Sequence, residues 1–250
     1  MPLSKEARHE FESLARSMYF SKETIAHEAE SMTAGQADRI CEMITFEQDV
    51  RARRKKERLF RRAAFPQLKS FEGYDFSQVS FPDEYGEEDL KALGFIKHAQ
   101  DFVFYGQTGR GKTHLSIAVG TAAVESGMNV RFFTTAQLVM GLLKASDAGT
   151  LDALMNDLRK CDLLILDEFG YVPMDVNAAR LLFQVVSDCY ESRSLILTTN
   201  IEFSKWGTVL GDDKLAAAMI DRIIHHGRLL EFGGESKRMC TSLMLGKGKE

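Results

Sequence analysis

The sequence predicts an α/β protein, a parallel sheet covered by helices on both faces, with a small helical segment ahead of it. Two observations predict the sheet. Short, mainly apolar runs alternate with helical stretches along residues 101–200, and a strand with no polar face is one buried on both sides. A glycine-rich run at 106–111 then falls between the first such strand and a helix. The leading helical segment is read from the near-absence of breakers. Pro does not recur after position 2, and Gly occurs only at 35, in the first 60 or so residues.

Taken in order, residues 1–62 form the helical domain. Ala37, Ile40, Cys41 and Ile44 follow helical spacing, and Phe46 and Val50 continue the four-residue step. Pro66, Gly73 and Pro82 punctuate an irregular linker over 63–86, and residues 87–250 make the α/β domain. There, Phe102–Tyr105 is a strand leading into the glycine run. A helix over 112–126 is closed by Gly127. Val130–Phe133 is a strand, and Thr135 starts a helix over Ala136–Ala145. A helix over Leu151–Lys160, the wholly apolar strand Leu163–Leu166, an amphipathic helix over Asn177–Ser192 and the strand Leu195–Thr198 complete the pattern.

Composition excludes several classes. No apolar stretch approaches the roughly 20 residues of a membrane-spanning helix, and the charged N-terminus lacks the apolar region of a secretory signal. A cytoplasmic protein without a membrane partner is expected. The four cysteines show no CxxC pair, which suits idle thiols in a reducing compartment. His225 and His226 are adjacent, so on a helix they are expected to point apart and not to share a metal. Net charge is −4, but residues 51–62 alone carry +7, against −5 over 1–50 and −6 over 63–250. Any nucleic-acid contact is therefore expected to be local.

Three short runs carry the chemistry. Gly106-Gln107-Thr108-Gly109-Arg110-Gly111-Lys112-Thr113, continued by His114, has the form of a phosphate-binding loop. Its glycines let backbone N–H groups turn around phosphates ahead of a helix N-terminus. Lys112 is expected to reach the β- and γ-phosphates of ATP, and Thr113 to offer a hydroxyl to Mg²⁺. Asp167 and Glu168 follow four aliphatic residues directly, at the carboxyl edge of a buried strand. Asp167 suits Mg²⁺, and Glu168 suits a general base that activates water. Asn200 ends the next apolar strand, where an amide can orient that water.

GxxxxGKT at 106–113, LLILDEFGYVP at 163–173 and LTTNIEFSKWGTVLGDDKLAAAMIDRIIHHG at 197–227 together resemble the AAA+ ATPases of the initiator and helicase-loader group. Within that group the closest resemblance is to the IstB-like ATP-binding proteins, the transposition helpers of bacterial insertion sequences. It covers roughly residues 30–245 and implies a P-loop AAA+ core, with only a reduced C-terminal lid after Asn200. It also implies that Arg222 is an arginine finger completing a neighbouring subunit's ATP site, so that the chain acts as a homo-oligomer, a ring or spiral. Arg238 matches a second arginine sensor, although Lys237 stands where many members have an aromatic residue, leaving open which of the two faces the phosphates. Phe76 falls in a linker that approaches adenine in this family, and either stacks on the base or anchors the linker in the core.

As a helix, the basic run places Arg51, Arg54, Lys55, Arg58, Arg61 and Arg62 on one face, flanked by Arg53 and Lys56. Such a stripe neutralises phosphates of duplex DNA with little sequence preference, or else balances the acidic segment before it. The resemblance favours DNA. The expected function is an ATP-dependent transposition helper that assembles on target DNA with ATP and recruits or stimulates the transposase of the same element. Hydrolysis resets the complex. The alternatives are a replicative helicase loader and a non-hydrolysing ATP-gated DNA-binding module.

Overall fold

A computed structural model describes residues 3–236. The chain divides into two compact units between Arg58 and Leu59.

The first unit holds helices α1 (Lys5–Ser17), α2 (Lys22–Ser31) and most of α3 (Ala34–Ala63). Ser4 and Ser21 cap α1 and α2, their hydroxyls accepting from Ala7 N–H at 3.1 Å and Thr24 N–H at 3.2 Å. Phe11, Ala15, Ile25, Ala29, Met32 and Ala37 form its small core. Ile44 is buried as the spacing predicts, but Phe46 is 69% exposed. Two residues on from Ile44 is about 200° around a helix, which turns Phe46 to the far side.

The second unit begins with the last turn of α3, whose Leu59 and Ala63 join a core cluster. Its strands are β1 (Val79–Ser80), β2 (Asp101–Gly106), β3 (Val130–Thr134), β4 (Leu163–Phe169), β5 (Ser194–Thr199) and β6 (Gly227–Phe232). They form one sheet in the order β1-β6-β2-β5-β4-β3, parallel throughout except where β1 pairs antiparallel with β6. The helices are α4 (Glu87–Lys91), α5 (Gly94–Lys97), α6 (Lys112–Glu125), α7 (Thr135–Asp147), α8 (Leu151–Leu158), α9 (Val176–Cys189), α10 (Trp206–Leu210) and α11 (Asp213–His225).

Strand alternation divides the core into two layers. Leu164 and Leu166 of β4, with Leu195 and Leu197 of β5, pack among side chains of α7, α9 and α11. Leu163 and Ile165, with Ile196, face the opposite way toward α6. Trp206, the single tryptophan, is fully buried against Phe169 at a ring separation of 4.2 Å.

Helix starts differ slightly from expectation. Thr134, one residue before Thr135, caps α7 in a box with Gln137, and Asp175 caps α9 by accepting from Ala178 N–H. Strands β1 and β6 lie where the sequence pattern marks none, and β6 places Phe232 beside Gly106 at the carboxyl edge of β2. All elements that carry the chemical motifs end or begin at that edge.

Candidate functional site

The site starts with the turn from β2 into α6. Gly109 and Gly111 have φ of +86° and +92°, a region that side chains other than glycine's disfavour. Space is tight as well, since a Cβ would lie 2.1 Å from the Ser236 hydroxyl at Gly109 and 2.9 Å from the Tyr74 hydroxyl at Gly111, and those side chains would have to shift. Lys112 opens α6 and is only 7% exposed; its Nζ donates to the carbonyls of Gly106 (2.6 Å) and Gln107 (2.9 Å). Arg110 secures the outer side of the turn through the Phe232 carbonyl at 3.1 Å and Gln107 Oε1 at 3.0 Å.

Asp167 on β4 is the hub. Thr113 Oγ1 donates to its two carboxylate oxygens at 2.9 and 3.1 Å, and Thr198 Oγ1 donates to Oδ1 at 2.6 Å. Immediately after it the β4–β5 register shifts, and Glu168 takes a left-handed φ of +59°. Its backbone N–H is held by Thr198 Oγ1 at 3.0 Å. The bulge turns Glu168 outward while its neighbours stay buried. A bulky residue held there is strained, and such strain gathers at functional positions.

A cleft of about 280 Å³ lies over these groups, walled among others by Lys69, Lys112, Thr113, Glu168, Tyr171 and Thr198. Tyr171 reaches back across it to share a hydrogen bond with Thr108 Oγ1 at 2.8 Å. The site fits a phosphate chain with a divalent cation. The 2.9–3.1 Å between Thr113 Oγ1 and the Asp167 oxygens is close to the roughly 3 Å edge of a Mg²⁺ octahedron with 2.1 Å bonds.

Sequence reasoning did not identify Thr198. The LTTN run drew attention to its terminal amide, yet the hydroxyl two residues earlier is the group in contact with Asp167 and Glu168. A threonine directly after the aliphatic run Leu195–Leu197 was the available signal. Asn200 is half-buried, its side-chain oxygen is buried without a hydrogen-bond partner, and it does not line the cleft.

The linker residues at the cleft are Gln67 and Lys69, and the loop is braced by Tyr74, whose hydroxyl lies 3.4 Å from the Gly111 carbonyl. Burial pushes the Tyr74 phenol well above its ordinary pKa, keeping it a neutral donor. The His114 ring lies tilted against that of Tyr74, with centroids 5.1 Å apart, and its Nε2 is 3.4 Å from the Ser70 carbonyl. Phe76 sits in an aromatic cluster with Tyr74, Phe71 and Phe81, with Lys91 over its ring, and is not a cleft wall.

Arg222 lies on α11, not on the cleft wall. One guanidinium N–H donates to the Ala218 carbonyl at 2.9 Å, and the group stacks over Phe183 at 4.7 Å. Lys237 and Arg238 lie outside the described residues. Of the basic run, residues 51–58 are exposed, with Arg51 paired to Glu47 at 2.7 Å. Arg62 departs from the expected DNA-facing stripe: its guanidinium is held by Asp157 Oδ1 at 2.6 Å, and Asp157 also receives Arg131.

The family profile of the IstB-like ATP binding proteins matches residues 8–244. A Pseudomonas aeruginosa protein named as an ATP-binding protein of insertion sequence IS21 is 34% identical over 217 residues, spanning 87% of this chain and 82% of its own. A Geobacillus stearothermophilus protein similarly named for insertion sequence IS5376 is 38% identical, over 72% of each chain. Among solved structures, AMPPCP-bound DnaA from Aquifex aeolicus superposes with a TM-score of 0.52 at 21% identity, over 71% of this chain and 54% of that one. DnaI gives 0.51 at 18%, over 68% and 90%. These two likenesses establish the AAA+ fold.

Proposed function

We propose that this chain, which belongs to the IstB-like ATP-binding protein family, is an ATP-hydrolysing helper of DNA transposition. The observation that carries the reading is the convergence of Lys112, Thr113, Asp167 and Glu168 on one cleft at the carboxyl edge of the sheet. The names of the relatives speak of ATP binding and of insertion sequences, which supports the reading.

In this reading the Lys112 ammonium leaves its loop carbonyls to meet the β- and γ-phosphates, while the backbone N–H groups of 109–113 surround them. Thr113 Oγ1 and the Asp167 carboxylate hold Mg²⁺, which when bound neutralises developing phosphate charge. Thr198 fixes the Asp167 carboxylate. A Glu168 carboxylate oxygen takes the proton from the attacking water. Asn200 helps orient that water; its buried side-chain oxygen has no hydrogen-bond partner among the described residues.

Arg222 acts on a neighbouring subunit's γ-phosphate, so that hydrolysis depends on assembly. Its position off its own cleft is in keeping with that use. Arg238 or Lys237 senses the subunit's own nucleotide, and Phe76 supports the linker beside Tyr74. The exposed residues Arg53, Arg54, Lys55, Lys56 and Arg58, with Arg51 and Arg61, contact duplex DNA. The ATP-bound oligomer on target DNA recruits the element's transposase, and hydrolysis releases it.

The test is residence on DNA, read by filter binding and electron microscopy with ATP and duplex. Glu168→Gln is expected to bind ATP, assemble and persist on DNA, whereas Lys112→Ala fails to assemble. Glu168→Gln leaving DNA at the wild-type rate would contradict the proposal.

A further inference from the structure

We propose that Glu191, His225 and His226 form a binding site for a late first-row divalent cation, with zinc the best chemical match. This site lies at the amino-terminal edge of the sheet, opposite the nucleotide cleft. Adjacent histidines are expected to diverge on a helix, but α11 ends at His225. His226 occupies the cap position with φ −116° and ψ 12°, outside helical geometry, and the chain enters β6 at Gly227. The two rings consequently meet edge to face with centroids 4.2 Å apart. Glu191, in the connection from α9 to β5, comes within 3.1 Å of His226 Nε2. Each of the three residues offers one ligand atom, and those atoms lie within 4.8 Å of one another.

The distances and the donor types both suit zinc. Two ligands on a tetrahedral zinc at about 2.0–2.1 Å stand roughly 3.3 Å apart, close to the 3.1 Å between His226 and Glu191. Two imidazoles and a carboxylate, with a water in the fourth position, form a set that zinc takes and that Mg²⁺ or Ca²⁺ does not favour. Tyr190 supplies an outer contact: its hydroxyl lies 3.0 Å from His225 Nδ1 and also bonds the Glu191 side chain, restraining two of the three ligands. The three ligand atoms lie within 4.8 Å of one another, so closing on a tetrahedral ion asks for movements of up to about 1.5 Å, which side chains 61% (Glu191) and 35% (His226) accessible can make. The oxygen-only pair of Thr113 and Asp167 suits Mg²⁺, so the two edges of the sheet would select different metals. A cation here would pin the end of α11, which carries Arg222 three residues earlier, to the α9–β5 connection.

The experiment is a calorimetric zinc titration of the EDTA-stripped full chain without nucleotide, with cobalt(II) as a spectroscopic substitute. One zinc per chain is expected, together with a cobalt spectrum showing d–d bands but no thiolate charge transfer. Glu191→Gln and His226→Gln should each weaken binding at least tenfold, and Tyr190→Phe by about tenfold. Melting curves in EDTA, followed by Trp206 fluorescence, should match wild type in all three variants, while zinc should raise the melting temperature of wild type most. Absence of zinc binding, binding that Glu191→Gln and His226→Gln leave unchanged, or a thiolate signature would each overturn the proposal.

Discussion

Asp167 and Asp101 are two buried aspartates at opposite edges of the same sheet, 3% and 4% exposed. Their partners differ. Asp167 accepts from two threonine hydroxyls and stands beside the cleft. Asp101, at the start of β2, accepts a single bond, from the Leu195 N–H at 2.8 Å. Burial with so little compensation pushes the Asp101 carboxyl up to about 7. The same side chain at the same depth is therefore equipped at one edge to hold a cation and at the other to carry a proton. Donor count, not burial, separates the two carboxylates.

Four variants can break or sharpen that contrast. Glu168→Gln, at the functional edge, is expected to lower ATP turnover by about 10²–10⁴-fold, the usual worth of a general base, in a steady-state phosphate-release assay. Asp167→Asn should cost about a hundredfold in the same assay, because an amide offers one acceptor where the two threonines and Mg²⁺ need a carboxylate. Chemical denaturation should show little change in its stability.

Asp101→Asn should behave in the opposite way, sparing turnover and changing the pH dependence of stability. Between about pH 4 and pH 7 the folded chain keeps the Asp101 proton while the unfolded chain, with an ordinary carboxylate value of 3.8, has lost it. Folding is thus favoured at the acid end of that window, and this contribution is lost as pH rises through 7. The asparagine variant should lack that slope and be more stable than wild type at pH 8 by on the order of 2 kcal/mol, measured by urea denaturation. The smallest effect is expected in the first unit. Arg54→Ala with Arg58→Ala should reduce the log–log salt slope of DNA binding by about 2 and leave ATP turnover without DNA unchanged.

Much of the functional edge was legible in the sequence because its chemistry is local. The phosphate loop is eight consecutive residues, and Asp167-Glu168 comes directly after four aliphatic residues whose composition shows the burial of their strand. What depended on pairing between distant strands was not legible. Thr198 meets Asp167 across the β4–β5 register, and β6 reads Gly-Arg-Leu-Leu-Glu-Phe, with too few apolar positions to stand out before it pairs with β2. The meeting of His225 with His226 depends on α11 stopping between them, a boundary that helical spacing alone does not fix. Arg62 sits in the charged run by sequence, yet one turn from Leu59 it is already within reach of Asp157.

The most direct test of the functional edge is a single-turnover comparison of wild type and Glu168→Gln, with ATP binding and phosphate release followed on the same samples with DNA present. Glu168 as the base at this cleft predicts unchanged nucleotide affinity within about twofold and loss of the phosphate-release phase. Phosphate release at the wild-type rate from the glutamine variant would contradict it.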